Sequence, residues 1–198
     1  LSESANRSQL NWMPKSDLLY YVTDDENGRT LYTLEPLNME TKVVAQNLPK
    51  ENFYIAPDEK SMFFSSKESI TVSNPNGLKR LIGIDDRQSS YRDRYFLYRH
   101  FFDTGLTQQL TFGRQTASFN DVTNDLMYLL FSTSEEDLAE RPFSKSSMYL
   151  LNLQTMVVDT VWKDQTFTYS AQFSPNGKQL LIHGAPEAFN GIGLNIKP

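Results

Sequence analysis

An all-β repeat fold is what this chain predicts, and three observations predict it. A similar short turn opens four apolar runs, the clearest being Phe173-Ser174-Pro175-Asn176-Gly177-Lys178 ahead of Gln179-Leu180-Leu181-Ile182. Between the turns, short apolar or alternating runs are bounded by Gly, Pro, Asn and Asp, the pattern of strands joined by hairpins. No window keeps helical periodicity for more than about two turns, and the best candidate, residues 133–141, reads as a loop.

The turn has a physical logic. Pro175 presets φ, Asn176 tolerates the bridge or left-handed region, and Gly177 takes positive φ freely. Related turns are Trp12-Met13-Pro14-Lys15-Ser16-Asp17, Ile55-Ala56-Pro57-Asp58-Glu59-Lys60 and residues 119–125. With Pro14, Pro57, Asp121 and Pro175 as equivalents, the spacings are 43, 64 and 54 positions. A four-stranded propeller blade takes roughly 40–50 residues, so the first spacing fits and the other two imply insertions. The expected architecture is a partial β-propeller of four-stranded antiparallel blades, about three and a half of them by this count.

The strands follow in order. Leu18–Val22 and Thr30–Leu34 are joined by Asp25-Glu26-Asn27-Gly28, a hairpin with Gly28 as the left-handed residue, and Thr41–Ala45 comes next. Ser61–Ser65 opens the second unit, with strands expected at Ser69–Ser73 and Lys79–Ile84 across Asn74-Pro75-Asn76-Gly77. Arg94–His100 and Gln108–Thr111 flank Asp103-Thr104-Gly105. Leu126–Phe131, Ser147–Leu153 and Val157–Trp162 make the third unit, and Leu180–Ile182 opens the fourth.

Composition narrows the partners. The 198 residues suit a single domain, and 13 Phe with 10 Tyr are enough to pack sheet faces. A net charge of −5 gives no electrostatic reason to expect nucleic acid or an anionic membrane as partner. No apolar run approaches the roughly 20 residues of a spanning helix. With no Cys there is neither a disulfide nor a thiolate metal site, and the compartment stays open. Asn6-Arg7-Ser8 matches the glycosylation triplet, a match common by chance.

Only 23 residues follow Pro175, about half a blade. Residues 1–198 are therefore expected to form one partial propeller domain, a fragment of a larger chain. Exposed blade edges predict self-association, and two copies completing one ring is the alternative arrangement.

At Phe173–Lys178, and at Phe102-Asp103-Thr104-Gly105-Leu106-Thr107-Gln108-Gln109-Leu110-Thr111, the chain resembles TolB-type propeller repeats. Residues 85–94 and 184–193 resemble the propeller half of prolyl-oligopeptidase-family serine peptidases, of the dipeptidyl-peptidase and acylaminoacyl-peptidase kind. The resemblance runs from about Asn11 onward. It implies a propeller that gates short peptides into an α/β-hydrolase domain and docks with it, the Ser-His-Asp triad lying in that second domain. It also implies a periplasmic or secreted protein, with a cytoplasmic one as alternative. No cofactor is expected. The other readings are a TolB-type binding propeller without a peptidase domain and a propeller enzyme acting on sugars.

No Gly-x-Ser-x-Gly elbow is present, so no catalytic residue is assigned. His100 and His183 each sit in a strand and read as packing residues. Glu135 and Glu136, followed by Asp137 and Glu140, are candidates to face a substrate amino group, against the plainer reading of a solvated insertion. They lack the aromatic and acidic surroundings of the dipeptidyl-peptidase anchor, whose role is not carried over. Arg87, Arg92, Arg94 and Arg99, interleaved with Tyr91, Tyr95 and Tyr98, form either an interface with a companion domain or a solvated hairpin face. Asp24–Gly28 is too short for a calcium loop and reads as a turn. Residues 184–193 read as a long loop at one propeller rim.

Overall fold

The computed structural model describes residues 6–26, 28–69, 93–137, 139, 143–166 and 168–184, and among these there are fourteen strands and no helix. Sheet one is β1 (Asn6–Trp12), β2 (Leu19–Asp25), β3 (Gly28–Leu34) and β4 (Thr41–Ala45), ordered as in the chain. Sheet two is β5 (Phe53–Ile55), β6 (Ser61–Ser69), β7 (Asp93–Phe101) and β8 (Thr107–Gln109). Sheet three is β9 (Ala117–Val122), β10 (Tyr128–Glu136), β11 (Ser144–Asn152) and β12 (Val158–Gln165). Sheet four holds β13 (Thr168–Phe173) and β14 (Leu180–Gly184). Three four-stranded sheets and a two-stranded one among the described residues match the expected count. The chain divides into two compact units, Leu1–Phe64 with Arg99–Gln108, and Ser65–Tyr98 with Gln109–Pro198.

The recurring turn is a hairpin loop between the first and second strand of every sheet. It is closed by one equivalent backbone bond in each, Met13 N to Leu18 O, Ala56 N to Ser61 O, Thr123 N to Tyr128 O and Ser174 N to Gln179 O, all at 2.8–2.9 Å. The bonds make Asn124, not Asp121, the third equivalent of Pro14, Pro57 and Pro175. The repeat spacings are then 43, 67 and 51 positions. Asp121 has a different job: its Oδ2 accepts from Phe173 N at 2.7 Å, tying β9 of sheet three to β13 of sheet four.

Inside the turn, Asp58, Asp125 and Asn176 each accept from the backbone N–H two residues on, at 3.0–3.1 Å. This side-chain bond imitates a backbone turn, which is why Asp or Asn recurs there. The next position is left-handed in three copies, Glu59 (φ 58°), Leu126 (φ 57°) and Gly177 (φ 69°). Only the last is glycine; a residue with a Cβ is strained there by about 1 kcal/mol.

Sequence reading found the second and third strands and missed the first. β1, β5, β9 and β13 are short or polar, and β5 has only three residues. Residues 133–136, read as loop, continue β10 in an unbroken ladder with β11 as far as Glu136 opposite Ser144. Alternation there is of small polar residues, which period analysis cannot separate from a loop. The Asp25–Gly28 hairpin formed as expected, Asp25 pairing with Gly28 at φ 117°. The expected strand at residues 79–84, most of that at 69–73, and residues 185–193 lie outside the described residues.

Each sheet has two faces. We call front the face carrying the pairs Trp12–Leu19, Ile55–Met62, Val122–Leu129 and Phe173–Leu180, one in each sheet at the base of the turn. The same face carries the stacked Tyr21–Tyr32 in sheet one and Phe131–Tyr149 in sheet three, at 5.2 and 5.3 Å between centroids. The back face carries Tyr20, Phe63, Leu130 and Leu181 at equivalent positions. Sheet four lays Ala171, Phe173 and Leu180 of its front on Leu130, Met148 and Trp162 of the back of sheet three. In the first unit, Phe53 from the front of sheet two meets Tyr20 from the back of sheet one, at 6.2 Å between rings. Front on back is the contact that hides apolar surface.

A Cβ at position 177 would lie 3.3 Å from Thr123 Cγ2 on a backbone already at positive φ. Gly177→Ala is therefore expected to lower stability by about 1–2 kcal/mol, read as a fall in the urea midpoint with unchanged slope.

Candidate functional site

Arg99 is a heavily engaged charge of the first unit. It stands on β7 with its side chain largely buried, its Nε donating to Ser61 Oγ at 3.0 Å and one terminal nitrogen 3.4 Å from Asp58 Oδ2. The guanidinium lies over Phe101 at 4.6 Å and Phe63 at 5.5 Å. Burial pulls its pKa down and Asp58 pulls it back up. A guanidinium stays charged under such a shift, and stacking suits its weakly hydrated plane. Asp58 holds the turn through Lys60 N and Arg99 through its other oxygen, so turn two is fastened to β7.

Arg29, a buried residue of β3, donates to Pro49 O and Glu51 O at 3.0 and 2.7 Å, with Asp24 at 3.5 Å from its Nε. It pins the connector between sheets one and two. Turn one has Lys15 where the other turns have Asp or Asn. Its backbone is held instead by Glu59, whose Oε1 accepts from Lys15 N, Ser16 N and Ser16 Oγ at 2.7, 2.6 and 3.0 Å. Sequence reading missed Arg29 and Glu59. The only signal for Arg29 is a cation inside an otherwise strand-like apolar run, and Glu59 carries none.

The predicted site residues are spread out. Glu135 and Glu136 end β10, exposed, opposite Lys145 and Ser144. Successive strand residues point to opposite faces, so the two carboxylates do not converge on one ligand. Glu135 accepts from Gln115 Nε2 at 2.8 Å, and the following Asp137 pairs with Lys145 at 2.8 Å. Glu140 lies outside the described residues, as do Arg87 and Arg92. Arg94 sits half-buried near the start of β7, while Arg99 is committed to Ser61 and Asp58. Further along the same hairpin, Lys67 meets Asp93 at 2.6 Å, a bond that raises the lysine pKa, and the Tyr98 hydroxyl donates to Glu68.

His100 is buried, its Nδ1 2.9 Å from Thr107 Oγ1 and its ring beside Phe102; burial lowers its pKa. His183 is exposed on β14, opposite Ser170. Among the described residues no group of three His, Cys, Asp or Glu side chains is placed to hold a metal ion, and no helix is long and apolar enough to cross a membrane.

Repeated four-stranded antiparallel sheets, each entered by the same turn, define a β-propeller, and the solved structures it resembles include TolB and prolyl-oligopeptidase-type propellers. The chain is similar to TolB from Acinetobacter baumannii (15% identity, TM-score 0.52), covering 94% of this chain and 39% of that one. It is similar to the acylaminoacyl peptidase of Pyrococcus horikoshii (12%, 0.58), covering 91% of this chain and 28% of that one. It also resembles the oligogalacturonate lyase of Vibrio parahaemolyticus (12%, 0.53), covering 89% and 45%. It thus spans less than half the length of each. No protein-family model matches the sequence, and no curated protein matches it. At these identities the likeness shows the fold, which hosts several activities.

Two outcomes follow from these bonds. Arg99→Met is expected to cost about 2–3 kcal/mol in chemical denaturation, because Asp58 and Ser61 lose their donor. Asp125 has its pKa lowered first by the Thr123 hydroxyl, 2.6 Å away, and then by the Met127 N–H. A lowered folded pKa gives stability that is present above the ordinary carboxylate range and lost as pH falls through it. Asp125→Asn keeps the turn geometry, so wild type should exceed it at neutral pH and the gap in urea midpoint should close in acid.

Proposed function

We propose that this chain is the non-catalytic propeller part of a serine peptidase of the prolyl-oligopeptidase kind. It restricts the entry of short peptides to an α/β-hydrolase domain and docks with that domain. The observation that carries the reading is the overlay of 91% of the chain on acylaminoacyl peptidase at TM-score 0.58, the highest of the three similarities. It falls together with the motif resemblance at Phe102–Thr111 and Phe173–Lys178. A propeller contributes no nucleophile in this scheme; its contribution is steric selection and a docking face. Export to the periplasm or outside the cell belongs to the same reading.

The second reading, a TolB-type binding propeller, is favoured by the 94% coverage on TolB. The likeness to a lyase keeps a sugar-acting propeller third.

The parent gene decides between them. Under the first reading it encodes, beyond residue 198, a Gly-x-Ser-x-Gly elbow followed by Asp and His. The full protein then hydrolyses short peptides and is labelled by a fluorophosphonate, while this chain alone does neither. A complete reading frame without the elbow sinks the peptidase reading. Hydrolysis by the isolated, repurified chain sinks the non-catalytic one.

A further inference from the structure

The sequence holds four Asn-Gly pairs, and Asn176-Gly177 is the one with both residues among the described ones. Such a pair is chemically labile. No side chain on Gly177 obstructs its backbone nitrogen, which, once deprotonated, can attack Asn176 Cγ. The N–Cγ bond forms, the Cγ–Nδ2 bond breaks, and ammonia leaves. Water then opens the five-membered imide. Attack at Cγ gives aspartate on an ordinary backbone, whereas attack at the main-chain carbonyl gives isoaspartate, whose backbone runs through Cβ and Cγ. Either way one water is consumed and one ammonia released, with no oxidant or reductant.

Turn four blocks the first step. Gly177 N donates to Ser174 O at 2.8 Å, so the proton that the nucleophile must lose is engaged. A bond from residue 177 back to residue 174 puts Asn176 at the third position of the turn, where ψ is about 0°. The imide ring cannot close at that angle; the backbone must first swing out of the turn. The carboxamide is held as well, its Oδ1 accepting from Ser174 Oγ at 2.7 Å and from Lys178 N at 3.1 Å. Asn124 Nδ2 donates to Pro175 O at 2.9 Å and so fixes the peptide just ahead of Asn176.

Turn three shows how an aspartyl product fits. Thr123 stands where turn four has Ser174. Its hydroxyl donates to Asp125 at 2.6 Å and accepts from Tyr128 N at 3.0 Å, as Ser174 Oγ donates to Asn176 and accepts from Gln179 N. Met127 N donates to Asp125 as Lys178 N donates to Asn176. Both donors favour a carboxylate over an amide oxygen, because a charged acceptor makes the stronger bond. An isoaspartyl backbone instead carries an extra methylene inside the turn and loses the register that the turn sets.

We propose that Asn176 is a site of spontaneous deamidation gated by turn four, shut while the turn is formed, with an aspartyl product held as Asp125 is held. The turn then keeps a chemical record of its own opening. This is independent of the peptidase reading, since water is the only co-reactant.

Peptide-mapping mass spectrometry over a time course at mildly alkaline pH tests it, on the 198-residue chain and on a synthetic peptide of residues 171–180. Conversion of Asn176 is expected to be roughly tenfold or more slower in the folded chain, because reaction waits on local opening. Asn124→Ala removes a clamp that the peptide lacks, and should raise the rate in the chain several-fold with circular dichroism unchanged. Ser174→Ala should do the same, read against the peptide carrying the same change. Should Ser174→Ala lose the native spectrum, Asn124→Ala carries that arm. Asn176→Asp is expected to keep a urea midpoint at or above that of wild type at neutral pH. Equal rates in chain and peptide overturn the gate, as does a chain rate that neither substitution moves. A peptide that stays intact overturns the site, and a lowered midpoint for Asn176→Asp overturns the fit of the product.

Discussion

The constraint on which this structure depends is that the four-stranded sheets, one to three, are apolar on both faces. An ordinary antiparallel sheet can leave one face to water. Here the front carries Leu19, Tyr21 and Tyr32 in sheet one while the back carries Tyr20, Val22 and Leu31. Sheet three is likewise two-sided, with Leu129 and Leu151 on one face, Leu130 and Met148 on the other, and all four fully buried. Such a sheet is stable only between two neighbours. Repetition follows from that need, because each added sheet covers one face and brings another to be covered.

The repeated turn is what lets this stacking run without distortion. It sets the last residue of the first strand opposite the first core residue of the second, in the same register in all four sheets. A slip of one residue would send every front side chain to the back. Asp58, Asp125 and Asn176 protect the register by bonding their own turns internally. Turn one departs from the rule and borrows the Glu59 carboxylate from turn two, so two consecutive turns form one unit. Asn124 donating to Pro175 O links turns three and four in a similar way. Sheets one and two, and likewise sheets three and four, are therefore joined by polar contacts at the turns as well as by apolar ones at the faces.

Function in such a scaffold is carried by what the sheets leave available. Several charged residues are occupied with architecture: Arg99 braces turn two, Lys145 holds Asp137 at the end of the β10–β11 hairpin, and Lys67 pairs with Asp93 between β6 and β7.

Pattern alone determined the fold class, the repeat and most of the strands, because those depend on local signals: turn residues with particular φ preferences and apolar runs of period two. Thr41–Ala45 was legible to the residue, and Gly28 and Gly177 at positive φ were legible from type alone. The first strand of each sheet was not, since β5 has three residues and is defined by its neighbours' hydrogen bonds, not by its own periodicity. Nor could the sequence tell that Asp121 reaches across to Phe173 while Asn124 holds the turn position, because both are turn-forming residues three apart. The sites divide the same way. That Glu135 and Glu136 are acidic neighbours is a fact of sequence; that a continuous β10 sends them to opposite faces is decided by the ladder with β11. Arg99 was visible as a charge in an aromatic strand, yet its partners lie 38 and 41 positions away. Only tertiary packing brings such groups within hydrogen-bond reach.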